Sequence, residues 1–189
     1  MTNYKILRNV AIVLGVFSFL WFIFELINNY KTINSDYLKA NNFFISKNYQ
    51  EAFDLYKQIF NQDPTNLHAL EGQARSLTRM NKFIEAEDIF LKIINEDENF
   101  LPALTNIGIL YDLKGEYNKA VFYYSKALEK DKSINKGMSW FKRFLKNIQF
   151  KPSTIEERLL YLQKQLKLNV SERKLKNLEI DSKQPDFEK

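Results

Sequence analysis

From residue 33 onward the sequence repeats itself with a period of 34 residues, and this repeat constrains the fold more than any other feature. Seven columns keep similar residue types at that spacing. They are Ala40, Ala74 and Gly108; Phe43, Leu77 and Tyr111; Tyr49, Phe83 and Tyr117; Ala52, Ala86 and Ala120; Tyr56, Phe90 and Tyr124; Ile59, Ile93 and Ala127; and Asp63, Asp97 and Asp131. A period of this length is typical of arrays in which a unit buries its apolar face only by stacking on its neighbours.

Each unit is expected to fold as a pair of helices. Apolar residues in the third unit recur at i, i+3, i+4 and i+7, which predicts amphipathic helices. Small residues let the two helices approach closely, and the aromatic columns fill the remaining space. The unit resembles the tetratricopeptide repeat (TPR) family, whose 34-residue unit is a helix–turn–helix. The resemblance covers residues 33–134 and implies three repeats, at 33–66, 67–100 and 101–134.

The helix ends follow from turn-forming residues. We expect turns at Lys47-Asn48, Asn81-Lys82 and Gly115-Glu116, where asparagine and glycine tolerate a left-handed link. Pro64 ends the second helix of the first repeat, but Glu98 and Lys132 replace it in the other two. The second helix of those repeats is therefore predicted to be able to run on into the next repeat.

The N-terminal residues are predicted to cross a membrane. Residues 10–27 are almost entirely apolar, and with the residues before them they reach the length of a helix that spans a hydrocarbon core of roughly 30 Å. Trp21 and Tyr30 are expected at the membrane interface. A cleaved signal peptide is the alternative, but the apolar run is too long and lacks a pair of small residues for cleavage. We interpret residues 1–30 as a cytoplasmic stub and a single transmembrane helix.

The orientation of this span follows from a small excess of positive charge. Lys5, Arg8 and the amino group precede the span, whereas Lys31 and Lys39 follow it, which favours a cytoplasmic N-terminus. A single-pass protein of the bacterial inner membrane type, with a periplasmic soluble part, is the resulting expectation. The absence of cysteine is compatible with an oxidising compartment.

The composition excludes several kinds of site. With no cysteine and one histidine, the chain has no disulfide scaffold, thiolate nucleophile or zinc knuckle. Five glycines leave no room for a glycine-rich phosphate loop. A net charge of +5 without a dense basic stripe does not indicate nucleic-acid binding. No arrangement of a nucleophile and a base is visible. We therefore expect no enzyme activity, no cofactor and no metal.

The resemblance implies a concave groove lined mainly by the first helix of each repeat. The positions that match this lining are Tyr37, Asn41, Phe44, His68, Glu71, Arg75, Thr78, Arg79, Thr105, Ile109 and Asp112. Arg75 and Arg79 suit a peptide that carries a carboxylate or another acceptor near its middle. The alternative is that both arginines pair with Glu71, Asp112 or water.

Whether this chain can bind the C-terminal tail of a chaperone can be judged from the residues at matching positions. Chaperone-binding TPR domains hold a peptide's C-terminal carboxylate with residues on the first helix of each repeat. These are lysine and asparagine in repeat one, asparagine in repeat two, and lysine and arginine in repeat three. The matching residues here are Tyr37, Asn41, Gly72, Pro102 and Asn106. Because only Asn41 agrees, we do not expect this chain to bind a chaperone tail.

The residues after the repeats are expected to close the stack. Residues 135–151 are predicted to form a solvating or capping helix, whose exposed side carries Trp140, Lys142, Arg143 and Lys146, a composition that also suits a membrane interface. Residues 152–189 are predicted to form an amphipathic helix followed by a flexible tail.

This second helix has a recognisable start and an apolar stripe. Both Ser153/Glu156 and Thr154/Glu157 have the spacing of a capping box. The stripe consists of Ile155, Leu159, Leu162 and Leu166, and must pack on the repeats, in the groove or on a partner. Pairing of this stripe with a second copy would give self-association.

The predicted fold is all-α, with an N-terminal transmembrane helix followed by a three-repeat TPR solenoid and C-terminal capping helices. The predicted function is a membrane-anchored TPR scaffold for protein–protein interaction, which helps the assembly or stability of a membrane protein complex. Its expected ligand is a protein or peptide from subunits of that complex. The alternatives are a periplasmic envelope adaptor for cell-wall, secretion or cytochrome-maturation machinery, and the regulatory subunit of an enzyme.

Overall fold

The computed structural model describes residues 2–29, 35–137 and 153–176. In these ranges the regular structure is helical throughout, and the all-α fold predicted from the sequence is confirmed. The α-helices are α1 (Thr2–Asn29), α2 (Ser35–Ile45), α3 (Tyr49–Gln62), α4 (Leu67–Arg79), α5 (Phe83–Glu96), α6 (Leu101–Lys114), α7 (Tyr117–Lys130) and α8 (Ile155–Leu166). The chain divides into two compact units, Met1–Leu38 and Lys39–Lys189.

The first unit contains α1, in which the described apolar side chains between Tyr4 and Phe24 are exposed, apart from the half-buried Ile23. Its stretch Ile6–Glu25 is long and apolar enough to cross a membrane, judged by length and composition, and none of that stretch is buried. Trp21, predicted at the membrane interface, is exposed and contacts Phe24 with ring centroids 6.5 Å apart. Tyr30, predicted with it, lies outside the described residues.

The second unit contains a stack in which each helix packs on the next, from α3 to α7. The repeat columns form its core. Residues from these columns that are completely buried include Ala40, Ala52, Tyr56, Ala74, Ala86, Phe90, Ile93, Ala120, Tyr124 and Ala127. The 34-residue period therefore marks the positions at which neighbouring helices meet.

Two glycines lie where neighbouring helices approach too closely to leave room for a Cβ. A Cβ added at Gly108 would lie 2.6 Å from the ring of Tyr124, and one added at Gly72 would lie 2.6 Å from the ring of Tyr56. Both rings are completely buried, so neither has room to move aside. Here the aromatic column of the second helix presses directly on the backbone of the first.

Each pair of helices is joined by a turn that contains one left-handed residue. These residues are Lys47, Asn81 and Gly115, with φ angles of 63°, 60° and 84°. The expectation that asparagine or glycine takes this position is confirmed in repeats two and three. In repeat one it is wrong, because Asn48 has a φ of −83° and Lys47 takes the left-handed conformation. The bond from the Asn48 amide to the carbonyl of Phe43 fixes the reversal at this position.

The second helix of each repeat ends at an aspartate. The prediction that the second helices of repeats two and three run on is wrong, because α5 ends at Glu96 and α7 at Lys130. The carboxylate of Asp97 accepts a hydrogen bond from the Asn99 amide at 2.9 Å. Asp131 accepts one from the Ser133 amide at 2.7 Å, just as Asp63 does from Thr65. These side-chain bonds compete with the helix and end it without proline.

Beyond α7 the chain forms a short 3-10 turn, Lys132–Lys136, and then meets its own later part. A Cβ added at Gly137 would lie 3.2 Å from Cγ2 of Thr154, and the side-chain amide of Asn135 donates to Glu156. The chain thus leaves and re-enters the described fold at neighbouring points. Most of the predicted capping helix, with Trp140, Lys142, Arg143 and Lys146, lies outside the described residues.

The helix α8 packs against α7. It begins at Thr154, whose Oγ1 accepts from the Glu157 amide at 3.2 Å while the Glu157 carboxylate accepts from the Thr154 amide at 2.9 Å. This is the second of the two predicted capping boxes. Of its apolar stripe, Ile155, Leu159 and Leu162 are buried in the main core. The predicted flexible tail begins beyond residue 176, outside the described residues.

Candidate functional site

Every predicted groove residue lies on the first helix of a repeat. Tyr37, Asn41 and Phe44 are on α2, where Tyr37 belongs to the first compact unit, and the residues from His68 to Arg79 are on α4. Thr105, Ile109 and Asp112 are on α6. We call the surface formed by Asn41, Phe44 and the predicted residues of α4 and α6 the inner face. That the inner face binds peptide stays a prediction.

A buried ion pair occupies the middle of the inner face. Arg75 Nε lies 3.1 Å from both carboxylate oxygens of Glu71, one turn away on α4. Both side chains are buried, with 3% exposure each. The guanidinium also lies over the ring of Phe44, 4.6 Å from its centroid. Of the two interpretations of Arg75 left open by the sequence, the structure shows the one in which it pairs with Glu71.

Hydrogen bonds extend this pair to the neighbouring helices. On one side Nδ2 of Asn106, on α6, donates to Oε1 of Glu71 at 2.7 Å. On the other side Nη2 of Arg75 donates to the hydroxyl of Tyr56 at 3.4 Å, and that hydroxyl donates to Oδ1 of Asn41 on α2. Hydrogen bonds, charge-assisted where they involve Glu71 or Arg75, thus connect the first helices of all three repeats.

A second buried pair lies at the C-terminal end of the inner face. Arg158 of α8 donates two bonds of 2.7 Å, from Nε and Nη2, to the two oxygens of Asp112. The hydroxyl of Tyr124 donates to the same carboxylate at 3.2 Å. Arg158 is only 2% exposed, and its Nη2 also donates to the carbonyl of Leu175 at 3.1 Å. Since two parallel bonds fix the planes of both groups, α8 is held against α6 in one orientation.

Two of the remaining predicted residues, Thr78 and Thr105, form hydrogen bonds within their own helices. The hydroxyls of Thr78 and Thr105 donate to carbonyls of their own helices, at 2.8 Å and 2.9 Å. His68 is exposed, and its ring lies 4.9 Å from that of Phe100. Arg79 is half-buried at the end of α4.

The middle of the inner face, between His68 and Arg79 on α4 and along α6, is closed to solvent. Glu71, Arg75, Thr78, Thr105, Ile109 and Asp112 are each no more than 8% exposed. Polar side chains with so little exposure require partners, and the bonds above supply them.

Four contributors to these networks, Tyr56, Asn106, Tyr124 and Arg158, are not among the groove residues predicted from the sequence. Arg158 lies inside the apolar stripe of α8, between Ile155 and Leu159, and this placement is the one signal that its charge is buried. In the aromatic column, Tyr56 and Tyr124 carry hydroxyls where Phe90 has none. Each of these two hydroxyls bonds to a polar side chain, that of Tyr56 to Asn41 and that of Tyr124 to Asp112.

A separate polar cluster joins α5, α6 and α7. The carboxylate of Glu87 accepts from the hydroxyl of Tyr111 at 2.7 Å and from Nζ of Lys114 at 2.9 Å. Burial alone would raise the pKa of Glu87, but the hydrogen bonds outweigh it and the pKa falls below its ordinary value. Burial and the bond to Glu87 raise the pKa of Tyr111. Glu116, which also pairs with Lys114 and Lys119, has a lowered pKa because of its hydrogen bonds to these lysines.

Metal-binding residues do not cluster in the described part of the chain. Among residues 2–29, 35–137 and 153–176, no three histidine, aspartate or glutamate side chains are placed to hold a metal ion.

Comparison with known proteins identifies the repeats. A family model described as tetratricopeptide repeat matches residues 102–133, and a second model with that description matches residues 43–107. The solved structure of the first TPR of Spaghetti (RPAP3), bound to the HSP90 peptide SRMEEVD, is similar, with a TM-score of 0.53 and 20% identity. The match covers 70% of this chain and 90% of that one.

Curated relatives share the repeats over a small part of their length. The probable UDP-N-acetylglucosamine–peptide N-acetylglucosaminyltransferase SPINDLY of Arabidopsis thaliana is 33% identical over 103 residues, which cover 54% of this chain and 11% of SPINDLY. Hsp70-Hsp90 organizing protein 3 of the same plant is 24% identical over 110 residues, which cover 58% of this chain and 20% of that protein. What these matches share with the present chain is a protein-interaction module, and the resemblance to SPINDLY falls in the repeats.

Proposed function

We propose that this chain, which belongs to the tetratricopeptide repeat family, is a membrane-anchored scaffold that helps the assembly or stability of a membrane protein complex. The repeats supply a protein-interaction module. The observation that carries the proposal is that the same chain bears α1, whose apolar side chains from residue 6 to residue 24 are exposed, apart from the half-buried Ile23. An interaction module tied to a membrane meets its partners in or beside that membrane.

The anchor is supported by the physical properties of α1. A helix that is apolar on all sides needs an apolar environment around it, because its side chains are poorly solvated by water. Its backbone groups are paired within the helix, as a lipid environment requires. In the proposed topology, Lys5 and Arg8 keep the N-terminus in the cytoplasm and the repeats lie in the periplasm of a bacterial cell.

The partner is proposed to differ from the chaperone peptides of the relatives. The similar TPR of Spaghetti is bound to an HSP90 peptide, and two of the curated relatives are named as Hsp70-Hsp90 organizing proteins. This chain has Tyr37, Gly72 and Pro102 at positions where chaperone-binding domains carry lysine or asparagine. Gly72 lies beneath the ring of Tyr56, so a larger residue is also sterically excluded there. We therefore propose a segment of a membrane-complex subunit as the ligand.

The proposal is tested by identifying what co-purifies with the full chain. The chain, tagged at its C-terminus, is extracted from native membranes with mild detergent, and its partners are identified by mass spectrometry. The variant Arg79→Glu reverses a half-buried charge on the inner face, and Lys82→Glu makes the same change at an exposed site in the following turn. We expect membrane-complex subunits with the unaltered chain and with Lys82→Glu, and their loss with Arg79→Glu. Recovery of soluble proteins alone would refute the membrane-complex role.

The topology has its own test, because the chain contains no cysteine. A single cysteine introduced as Lys82→Cys is exposed to reagents on one side of the membrane only. We expect a membrane-impermeant maleimide to label it in intact spheroplasts. Labelling only after lysis would place the repeats in the cytoplasm and would remove the periplasmic adaptor from consideration.

A further inference from the structure

The chain beyond α8 folds back along that helix and is fixed there by hydrogen bonds. A 3-10 turn at Val170–Glu172 reverses its direction. Nε of Arg173 donates to the carbonyl of Leu168 at 3.0 Å and so joins the two sides of the turn. The Lys174 amide then donates to Oε1 of Gln165, on α8, at 2.8 Å. The side chains of this turn are therefore carried by a backbone with a defined path.

The exposed side chains of α8 and of this turn are mainly lysines and isolated apolar residues. Leu160, Lys164 and Lys167 recur at i, i+4 and i+7 on the side of α8 that faces away from its buried stripe. Leu160 is 57% exposed, and Val170, in the turn, is 78% exposed. We call the following exposed residues the C-terminal basic surface: Leu160, Lys164, Lys167, Leu168, Val170 and Lys174.

This part of the chain carries an excess of positive charge. Residues 160–176 include four lysines and one arginine against a single acidic residue, Glu172, which is an excess of four. When Glu156 and Glu157 of α8 are also counted, the excess is two, with Arg158 left out because its charge is paired with that of Asp112.

The acidic residues of α8 lie at the other end of the helix. Glu157 caps its start and accepts from the Thr154 amide at 2.9 Å. Lys167 comes ten residues later, which is about 15 Å along a helix axis and exceeds the Debye length of about 8 Å at physiological ionic strength. The helix α7, on which α8 packs, has three lysines and one glutamate and does not supply a neutralising charge. Among the described ion pairs, none involves a lysine of the C-terminal basic surface.

The residue types of this surface favour phospholipid headgroups over a protein partner. Protein interfaces are enriched in aromatic residues and arginine and depleted in lysine, whereas each basic member of this surface is a lysine. Lysine is a flexible point charge that binds phosphate without a fixed geometry. Apolar side chains that lie beside lysines can enter the boundary between headgroups and acyl chains. Anionic lipids attract lysines that are held close to a membrane.

We propose that the C-terminal basic surface binds the headgroup region of an anionic lipid bilayer, with its lysines at the phosphates and Val170 between the headgroups. The proposal rests on the anchor of the proposed function, because α1 keeps the chain at a membrane and gives a weak contact a high effective concentration. A protein attached to a bilayer by an anchor and by a basic surface is held at two points. The second contact keeps the repeats at the lipid surface, where membrane-proximal segments of a partner lie.

The test places a fluorescent label on the turn of the full chain, which contains no cysteine of its own. The environment-sensitive dye NBD is attached at Val170→Cys, or at Ile84→Cys, a similarly exposed apolar site on α5. The chain is reconstituted into phosphatidylcholine bilayers with and without phosphatidylglycerol.

With phosphatidylglycerol we expect the emission at Val170→Cys to shift to the blue and to be quenched by nitroxide-bearing lipid. Both effects should be lost at high salt, because screening weakens the attraction. The label at Ile84→Cys should keep its aqueous spectrum throughout. An aqueous spectrum at Val170→Cys in the anionic bilayer, or equal responses at the two sites, overturns the proposal.

Charge reversal tests the role of the lysines. Lys167→Glu combined with Lys174→Glu should abolish the blue shift at Val170→Cys. Lys82→Glu combined with Lys92→Glu makes the same change of charge at exposed sites in the repeats and should leave the shift in place. Circular dichroism monitors the fold of each variant. A shift that survives the first pair of substitutions in a folded chain overturns the proposal.

Two further measurements separate this inference from its alternatives. If the label ignores anionic lipid while Lys167→Glu and Lys174→Glu lose a partner from native membranes, the surface binds an acidic protein and the lipid proposal is overturned. Flotation with phosphatidylcholine vesicles tests the anchor by itself. A chain that floats but whose label does not respond to anionic lipid refutes this inference alone, whereas a chain that does not float refutes the proposed anchor and this inference with it.

Discussion

Single residues determine how closely the helices of this stack approach. Tyr56 fills the space above Gly72, and its hydroxyl joins Asn41 of the first repeat to Arg75 of the second. The tyrosine therefore acts both as a packing residue and as a hydrogen-bonding centre. Its position in a repeat column is visible in the sequence, whereas its polar contacts depend on residues in two other helices.

We expect Gly72→Ala to destabilise the repeats. Alanine usually stabilises a helix relative to glycine by about 1 kcal/mol. Here the new Cβ would lie 2.6 Å from a completely buried ring, and such overpacking costs about 1–3 kcal/mol. Chemical unfolding followed by circular dichroism measures the difference. In the Tyr56→Ala background the clash is absent, so Gly72→Ala should no longer destabilise; an unchanged effect would refute the steric explanation.

At Lys47, by contrast, substitution by glycine is expected to stabilise the fold. Its φ of 63° is unfavourable for a residue with a Cβ, so Lys47→Gly should raise the free energy of unfolding by about 0.5–1 kcal/mol. Asn48→Gly is the matched control, because Asn48 has a φ of −83° and gains nothing from glycine. Thermal unfolding of the two variants should separate them. A stabilising effect of Asn48→Gly alone would contradict the assignment of the left-handed residue.

At the scale of the helices, the pair between Arg158 and Asp112 holds α8 on the stack. Arg158→Ala leaves a buried carboxylate without its cation, which is expected to cost about 3–5 kcal/mol. The combined variant Arg158→Met and Asp112→Leu removes both charges and should recover most of that loss. A double-mutant cycle by chemical unfolding measures the coupling. Additive effects of the two substitutions would show that the pair does not stabilise α8.

The cluster around Glu87 predicts a dependence of stability on pH. The folded pKa of Glu87 is lowered, so its stabilising contribution is present above the unfolded pKa and is lost as the pH falls through the folded value. Because the group is partly exposed, Glu87→Gln should lower the free energy of unfolding by no more than about 1 kcal/mol at neutral pH. Its difference from the unaltered chain should shrink as the pH falls below the ordinary carboxyl range and vanish at a pH below the lowered folded pKa. A difference that persists at that pH would exclude the carboxylate as its source.

The helices are well predicted from the sequence because their signals are local and periodic. The features that the sequence does not predict, the helix ends and the buried ion pair of α8, depend on contacts outside these local signals. The column of Asp63, Asp97 and Asp131 is visible, but that a side chain bonding two residues ahead ends a helix depends on backbone geometry beyond the helix. The bond from Arg158 to Asp112 joins residues 46 positions apart, and no periodicity relates α8 to α6. The sequence therefore predicts the helices that carry these residues, and not how their buried charges are neutralised.

At the scale of the whole molecule, the two compact units are expected to behave independently. Removing residues 1–30 should release the repeats from the membrane fraction and leave their midpoint of thermal unfolding nearly unchanged. The reason is that the described core belongs to the second unit and includes no residue of α1. Fractionation and calorimetry measure the two effects. Repeats that unfold without α1, or that stay on the membrane, would contradict this independence.

The neighbouring positions of Gly137 and Thr154 have an evolutionary consequence. When a chain departs and returns at almost one point, the described fold tolerates a change in the number of residues between the two points, because the points themselves stay in place. Lineages that carry this stack are expected to vary there by insertion and deletion while the repeats keep their 34-residue spacing. The same junction is where a fluorescent domain is best inserted for following the protein in living cells.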